Sequence, residues 1–445
     1  MTYFRATYLS KRFYLLGVLL VVLFSLGHFS SLFFFLAKIG LLLFLFAMIM
    51  DFSLLFFAGR RKISLVREIP ERLSNGDENI ITIFVKNDYA FPVSVEIIDE
   101  IPRQFQKRDF TFTTRIEAFG EEQLEYTLQP FQRGEYDFGK THVYTGTVVR
   151  LFIRRFSFGE PNRVVAVYPS FLKMRQYELL AISNRLTEVG IKRIRKLGTH
   201  SEFDQIKEYV SGDNYRTINW KATAKRNRLM VNQFQEERSQ QIINIIDKGR
   251  SMKMPFNGMT LLDYAINSTL VLSNISLQKY DKAGLITFNK TVDSFLPPER
   301  KKGTITLLLE MLYKQETHFL ESDFSLLATY LRRKVTHRSL IILYTNFHSP
   351  PSVKQQINYL KNIAKHHLLL VVLFENTEVS ALLKDDTKNV KDIYTKTIAE
   401  KYNYDKRLII REFKKHGILS IYTRPEALSA NIINKYLELK NKGMI

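Results

Sequence analysis

The sequence predicts an α/β protein with a doubly wound sheet, preceded by an all-β sandwich module and, before that, by a two-helix transmembrane hairpin. Three patterns predict it. Two nearly unbroken apolar stretches fill the first sixty residues, short alternating runs separated by turn residues continue to about residue 170, and buried-strand runs interleave with amphipathic helices from about residue 241 onward. At 445 residues the chain is too long for one ordinary core, and domain statistics suggest roughly two or three folded units. The boundaries read as 1–61 for the hairpin, 62–170 for the β module, 171–240 for a linker carrying a polar motif, and 241–445 for the α/β domain.

In the hairpin, the first span runs from Phe13 to Phe29 in Leu, Val and Phe, and about 20 apolar residues cross a bilayer as a helix. A break at His28, Ser30 and Ser31 precedes the second span, Leu32 to about Met50, with an apolar extension to Phe57. Basic residues stand on both outer flanks: Arg5, Lys11 and Arg12, then Arg60, Arg61 and Lys62. The positive-inside rule then puts both ends, and the rest of the chain, on the cytoplasmic side of the membrane. A cleaved signal peptide has one short apolar core, whereas here a second span follows at once. Lys38 and Asp51 lie in or beside the second span, where a charge is a functional suspect; the simpler expectation is that Lys38 snorkels outward and Asp51 marks the inner interface.

The β module shows strand patterns at Ile80–Val85, Val93–Ile98 and Leu124–Leu128. Turn chemistry separates them at Asn75-Gly76-Asp77, Asn87-Asp88, Phe119-Gly120 and Arg133-Gly134. That spacing predicts a sandwich of about 100 residues. With only an isolated His142, the module reads as a spacer or docking unit.

A basic segment with Lys192, Arg193, Arg195 and Lys196 leads to the α/β domain. Strands are predicted at Gln241–Asp247, Ala283–Phe288, Ser339–Thr345, Leu368–Phe374 and Ile418–Tyr422. Helices are predicted around Leu262–Leu270, Ile305–Tyr313, Phe324–Lys334, Val353–His366, a long stretch ending near Lys415, and Leu428–Lys440. Apolar strands alternating with amphipathic helices indicate a largely parallel sheet covered on both faces. Function in such sheets concentrates beyond the carboxyl ends of the strands. The loops that qualify are Asp247-Lys248-Gly249-Arg250-Ser251 and Thr345-Asn346-Phe347. An Asp-x-Ser-x-Ser loop, a Thr from the next loop and a later Asp would give hard oxygen ligands for Mg2+. Asp247, Ser251, Thr260 and Asn346 are the candidates, and Thr260 could equally cap the following helix.

At these residues the domain resembles a von Willebrand factor A fold, whose metal-ion-dependent adhesion site uses that oxygen pattern. More specifically, Glu208-Tyr209-Val210-Ser211-Gly212-Asp213, Arg216 and Ile218-Asn219-Trp220-Lys221-Ala222-Thr223-Ala224 resemble the signature of the bacterial family catalogued as domain of unknown function 58. The likeness continues through Phe234, Glu237, the Asp247 loop and Gly284–Phe288. What it implies is a membrane-tethered protein working with a MoxR-type AAA+ ATPase as adaptor or substrate in a chaperone-like system, without enzymatic activity. The chain departs from the full adhesion-site pattern at Gly249, where a Ser ligand would stand, and at Asn346, where the later Asp would stand. One carboxylate fewer weakens the attraction for a divalent ion.

Asp213, Arg216, Asn219, Trp220 and Lys221 could form a partner-binding surface, since Arg and Trp are favoured at binding hot spots. They could also be a structural clasp, with Gly212-Asp213 in a turn, Arg216 on a carboxylate and Trp220 packed across the sheet. The balance of 65 Lys and Arg against 44 Asp and Glu, formally +21, favours anionic partners. Lys221, Lys225, Arg226 and Arg228 keep nucleic acid or anionic lipid as the alternative, although no helix-turn-helix, aromatic RNP motif or finger accompanies them. With no Cys, thiol nucleophiles, Cys-ligated zinc and iron-sulfur clusters are excluded. No Walker loop, His-Glu-x-x-His or Gly-x-Ser-x-Gly elbow is present, and Lys301-Lys302-Gly303-Thr304 lacks the order of a phosphate loop. His366 and His367 fall at a helix end on opposite sides, which suits solvated cap residues better than a shared metal.

Overall fold

A computed structural model describes residues 6–57, 63–107, 110–159, 163–182, 201–211, 213, 215–236, 239–317, 319–383 and 389–445. Arg5, Arg60, Arg61, Lys62, Lys192, Arg193, Arg195, Lys196, Gly212 and Glu237, named above, lie outside them. The chain forms two compact units, Met1–Tyr168 and Pro169–Ile445.

The first unit opens with strand β1 (Thr7–Leu9) and helices α1 (Lys11–Leu26) and α2 (Ser31–Phe56). Ser10 caps α1, its hydroxyl accepting from the backbone N–H of Arg12 at 3.2 Å and of Phe13 at 3.4 Å. The two helices pack along each other through Phe24 on Phe34 near the turn and Phe13 on Phe44 at the far end. One helix, Ser31–Phe56, is long and apolar enough to cross a membrane. Its 26 residues rise about 39 Å against a hydrocarbon core of about 30 Å. The 16 residues of α1 rise only about 24 Å, so the span expected to reach Phe29 ends three residues early as a helix.

The strands that follow are β2 (Ile63–Glu68), β3 (Arg72–Ser74), β4 (Asn79–Asn87), β5 (Val93–Asp99), β6 (Thr111–Ile116), β7 (Glu121–Leu128), β8 (Gly134–Phe138), β9 (Thr141–Gly146), β10 (Phe152–Phe158) and β11 (Arg163–Tyr168). Among the described residues they build, with β1, three sheets in the orders β1-β10-β9-β5-β6, β2-β4-β7 and β3-β11-β8, with only the β3–β11 pair parallel. Alternate residues point inward, such as Ile81, Ile83 and Val85 from β4 and Val93, Val95 and Ile97 from β5, and close one apolar core. Two features were not legible beforehand. Strand β1, ahead of α1, pairs with β10, so the first residues belong to the β module rather than to a separate hairpin. Asp51, expected merely to mark an interface, is fully buried: Thr147 hydroxyl and the backbone N–H groups of Leu151 (2.9 Å) and Phe152 (2.8 Å) all donate to its carboxylate. Around it Leu55, Phe56, Leu151 and Phe152 form a small apolar cluster, and Leu55 carbonyl accepts from Tyr89 hydroxyl (3.0 Å) and Arg154 Nη1 (2.7 Å).

The second unit contains α3 (Phe171–Ile182), β12 (Ser201–Glu208), α4 (Trp220–Arg226), β13 (Met230–Glu236), β14 (Gln241–Asp247), β15 (Pro255–Phe256), β16 (Met259–Thr260), α5 (Leu261–Gln278), β17 (Lys282–Phe288), β18 (Val292–Glu299), α6 (Thr304–Tyr313), α7 (Phe324–Lys334), β19 (Leu340–Tyr344), α8 (Pro350–His366), β20 (Leu368–Phe374), α9 (Thr377–Leu382), α10 (Val390–Lys415), β21 (Leu419–Thr423) and α11 (Leu428–Asn441). Its main sheet runs β18-β17-β14-β19-β20-β21, parallel except for β18 at one edge. Successive β14 residues face opposite cores: Ile242 and Ile246 pack with α5, α6 and α11, whereas Ile243 and Ile245 pack with α7, α8 and α10. Helices therefore cover both faces, as the unbroken apolar runs require. The unit also begins earlier than the boundary at 241, because α3 places Met174 and Tyr177 in the first of these cores. The antiparallel edge strand β18 escaped the sequence reading because its two adjacent prolines, Pro297 and Pro298, argue against a strand anywhere but an edge. Gly284 permits the close approach of β18, since a Cβ there would stand 3.0 Å from Leu296 carbonyl and Pro298 nitrogen.

Candidate functional site

In the main sheet the chain leaves β14 toward β17 on one side and later returns to β19 on the other, so the strand order reverses between β14 and β19. A crevice at the carboxyl ends of two such strands is the place where open α/β sheets bind ligands. Here it is a cleft of about 360 Å3. Asp247, at the end of β14, Arg250 and Ser251 in the following turn, and Asn346 after β19 all line it, together with Ser322 and Thr345. Thus Asp247, Ser251 and Asn346 come together as the loop positions suggest. Thr260 does not line this cleft. It is the N-cap of α5, accepting from Asp263 N–H at 3.2 Å, while its own hydroxyl donates to the Asp263 carboxylate at 2.6 Å.

Asp247 is 2% exposed and accepts three hydrogen bonds: Gly249 N–H at 2.7 Å and Ser322 hydroxyl on one oxygen, and Thr345 hydroxyl at 2.6 Å on the other. Burial pushes its carboxyl above the usual range, and the three donors pull it back only in part. Gly249 has no room for a side chain, because a Cβ there would land on Ser322 Oγ and lie 2.9 Å from Asp247 Oδ1. Ser322 therefore fills the place where a serine at 249 would reach.

Asn346 is engaged by a residue that the loop argument misses. Lys406, from α10, is 1% exposed and donates to Asn346 Oδ1 at 2.7 Å and to Phe347 carbonyl at 2.6 Å. Burial lowers its pKa to about 8. At the exposed rim, His348 is held below the usual imidazole range, first by desolvation and then by the charges of Lys406 and Arg250. The signal for Lys406 was present in the sequence: it shares the apolar face of α10 with Ala399, Ile409 and Phe413, where a cation is out of place. Ser322, 75 residues from Asp247, has no comparable periodic signal.

These residues do not fit a divalent ion. A Mg2+ site needs anionic oxygen ligands converging on one point. Among the described residues Asp247 is the one buried carboxylate lining the cleft, it already accepts three hydrogen bonds, and the Asn346 oxygen holds an ammonium group. Glu321 lies at the exposed rim. Among the described residues no group of three or more His, Asp or Glu could hold a metal ion either.

The polar motif joins β12 to β13, which pair antiparallel. Asp213 accepts Lys207 ammonium at 2.9 Å and Val210 N–H at 3.0 Å, and the lysine contact holds its carboxyl below the usual range. Asn219 caps α4, accepting from Ala222 N–H at 3.0 Å, and donates to Asn232 Oδ1 at 2.8 Å. Arg216 has its backbone in the single turn Tyr215–Thr217; its side chain lies outside the described residues. Asp213 and Asn219 are thus tied to their own turn and helix start by hydrogen bonds, whereas Trp220 does not pack across the sheet: it is 69% exposed, with Lys221 exposed beside it.

The family described as "Protein of unknown function DUF58" matches residues 205–417. The chain is 26% identical over 185 residues to "Uncharacterized protein YeaD" of Bacillus subtilis (strain 168). That match covers 40% of this chain and 45% of the relative, less than half of its length. Among solved structures, the conserved hypothetical protein BatB from Bacteroides thetaiotaomicron is 14% identical, with 46% of this chain and 100% of that one aligned at a TM-score of 0.32. The CARDB domain of a Pyrococcus furiosus protein, in complex with di-metal ions, is 17% identical over 24% of this chain and 93% of its own, at a TM-score of 0.18. Neither structural likeness is close enough to carry an argument.

Proposed function

We propose that this chain is a membrane-tethered adaptor. In this reading α1 and α2 are a two-pass anchor in a bacterial inner membrane, the rest of the chain stands in the cytoplasm, and the α/β domain is of the von Willebrand factor A type. Its partner is a MoxR-type AAA+ ATPase in a chaperone-like system. The observation that carries the reading is Trp220, 69% exposed on a short helix whose start is fixed by the Asn219 cap. An aromatic side chain presented on a pre-ordered backbone loses little freedom on binding, which is why Trp is enriched among hot spots. The strand-end cleft supplies a second contact area of the kind open sheets use. The two-pass anchor rests on the basic residues flanking both apolar helices, with Lys11 and Arg12 opening the shorter one.

The test is a pull-down of the full chain from detergent-solubilised membranes, read by mass spectrometry. An AAA+ ATPase is expected with the wild type. Its affinity should fall about thirtyfold with Trp220→Ala, the roughly 2 kcal/mol at which a hot spot begins, and its recovery with it, at an unchanged unfolding midpoint. Asp247→Ala should weaken it as well. Undiminished recovery with both variants would place the interface elsewhere. One observation favours a second reading, a peripheral contact with anionic lipid: Lys221, Lys225 and Arg226 are exposed on the same helix. Salt-sensitive sedimentation with anionic vesicles, indifferent to Trp220→Ala, would select it.

A further inference from the structure

We infer that Lys406 is a fixed internal cation that takes the place of a divalent ion at the strand-end cleft. The inference concerns the chemistry of the site itself and stands whether or not a partner binds there.

Three observations carry it. The Lys406 ammonium is 1% exposed and lies 2.7 Å from the side-chain oxygen of Asn346 and 2.6 Å from the carbonyl of Phe347. It therefore spends its charge on the one cleft-lining loop that would otherwise offer oxygens to a metal. Next, Asp247 is satisfied in the absence of an ion by donors that could yield to one, with Gly249 N–H and Ser322 hydroxyl on one carboxylate oxygen and Thr345 hydroxyl on the other, which leaves the ammonium as what keeps a metal out. Finally, position 249 is closed to a ligating side chain, because Ser322 Oγ already stands where its Cβ would be.

Charge balance points the same way. Asp247 is the one buried carboxylate among the described residues lining the cleft, and Lys406 brings a buried ammonium to the neighbouring Asn346 loop. Arg250, His348 and Glu321 face the cleft from its exposed rim. A divalent ion added beside Asp247 would meet a single buried carboxylate, with the Asn346 side-chain oxygen already bound to an ammonium, which is too little anionic ligation to hold it. Neutral hydroxyl donors and an internal ammonium supply the same local order with no exchangeable ion.

The experiment is equilibrium dialysis of the detergent-solubilised full chain against Mn2+, with Asp247→Asn as the blank for adventitious surface binding. The wild type should bind no more Mn2+ than this blank. Lys406→Met combined with Asn346→Asp removes the ammonium and restores a second carboxylate, and should acquire one Mn2+ per chain that disappears when Asp247→Asn is added. One equivalent bound by the wild type and lost in Asp247→Asn overturns the inference, and this arm needs no core substitution at Lys406. A folded double variant that still takes no Mn2+ also overturns it, since the ammonium would then not be what excludes the ion.

Discussion

Asp51 and Asp247 are both buried carboxylates that accept three hydrogen bonds, one in each unit of the chain. They differ in who donates. Two of the three donors to Asp51 are backbone N–H groups, of Leu151 and Phe152, which cannot turn away, and the apolar cluster of Leu55, Phe56, Leu151 and Phe152 closes over the contact. Two of the three donors to Asp247 are hydroxyls, of Ser322 and Thr345, which rotate about a single bond, and the carboxylate borders an open cleft. Burial of a charge therefore does not by itself mark a site. A fixed donor set marks a joint, whereas a rotatable one beside a cleft marks a place that can adapt to a ligand.

The largest effect should separate these two carboxylates. Asp51→Ala strands the Leu151 and Phe152 N–H groups away from water and should cost about 3–5 kcal/mol of stability. Hydrogen exchange should rise at residues 151–152, where α2 meets β10. Asp247→Asn should cost less, about 1–2 kcal/mol, because Ser322 and Thr345 can redirect their protons. Equal losses in denaturant unfolding of the two variants would remove the distinction between joint and site.

Next in size is a pH effect confined to the second unit. Lys406 has a folded-state pKa of about 8, below the ordinary 10.5. Between those values the unfolded chain holds more protons than the folded one, so stability rises as pH rises through that window. The gain is on the order of 3 kcal/mol at most for a shift of this size. Other groups titrate there too, so the measurement is the difference in slope between wild type and Lys406→Met across pH 8 to 10. Parallel slopes would mean that Lys406 is not buried as a cation at the cleft.

The same contrast explains what could be read beforehand. The main sheet was legible because its strands are largely apolar runs: β14 and β20 fall at the expected residues, since nothing but burial on both faces fits such runs, and α7 does so by its one-sided apolar face of Phe324, Leu327, Ala328 and Leu331. Asp247, Ser251 and Asn346 were legible as loop residues beyond strand ends. Lys406 and Ser322 were not singled out, because their roles depend on partners 60 and 75 residues away in the chain. The anchoring of Asp51 to the loop before β10, 100 residues away, was hidden for the same reason. Trp220 had two readings in the sequence, a presented hot spot or a residue packed across the sheet, and only the local geometry of α4, which leaves it 69% exposed, separates them.

The smallest effect tests where the site ends. Thr260 had two readings in the sequence, an oxygen ligand or a helix cap, and both use its hydroxyl oxygen. In the structure Thr260 and Asp263 bond each other reciprocally at the start of α5: Thr260 N–H donates to the Asp263 carboxylate at 3.2 Å, and Asp263 N–H donates to Thr260 Oγ1 at 3.2 Å. Losing such a cap costs about 1 kcal/mol. Thr260→Ala should therefore lower stability by about that much, and Thr260→Ser should recover most of it, since the serine hydroxyl accepts the same bond. Hydrogen exchange at Gly249, whose N–H reports on the Asp247 carboxylate, should be the same in all three proteins once the stability difference is allowed for. Faster exchange at Gly249 in Thr260→Ala alone would draw Thr260 into the Asp247 cluster, because the Thr260–Asp263 cap shares no hydrogen bond with the donors on Asp247.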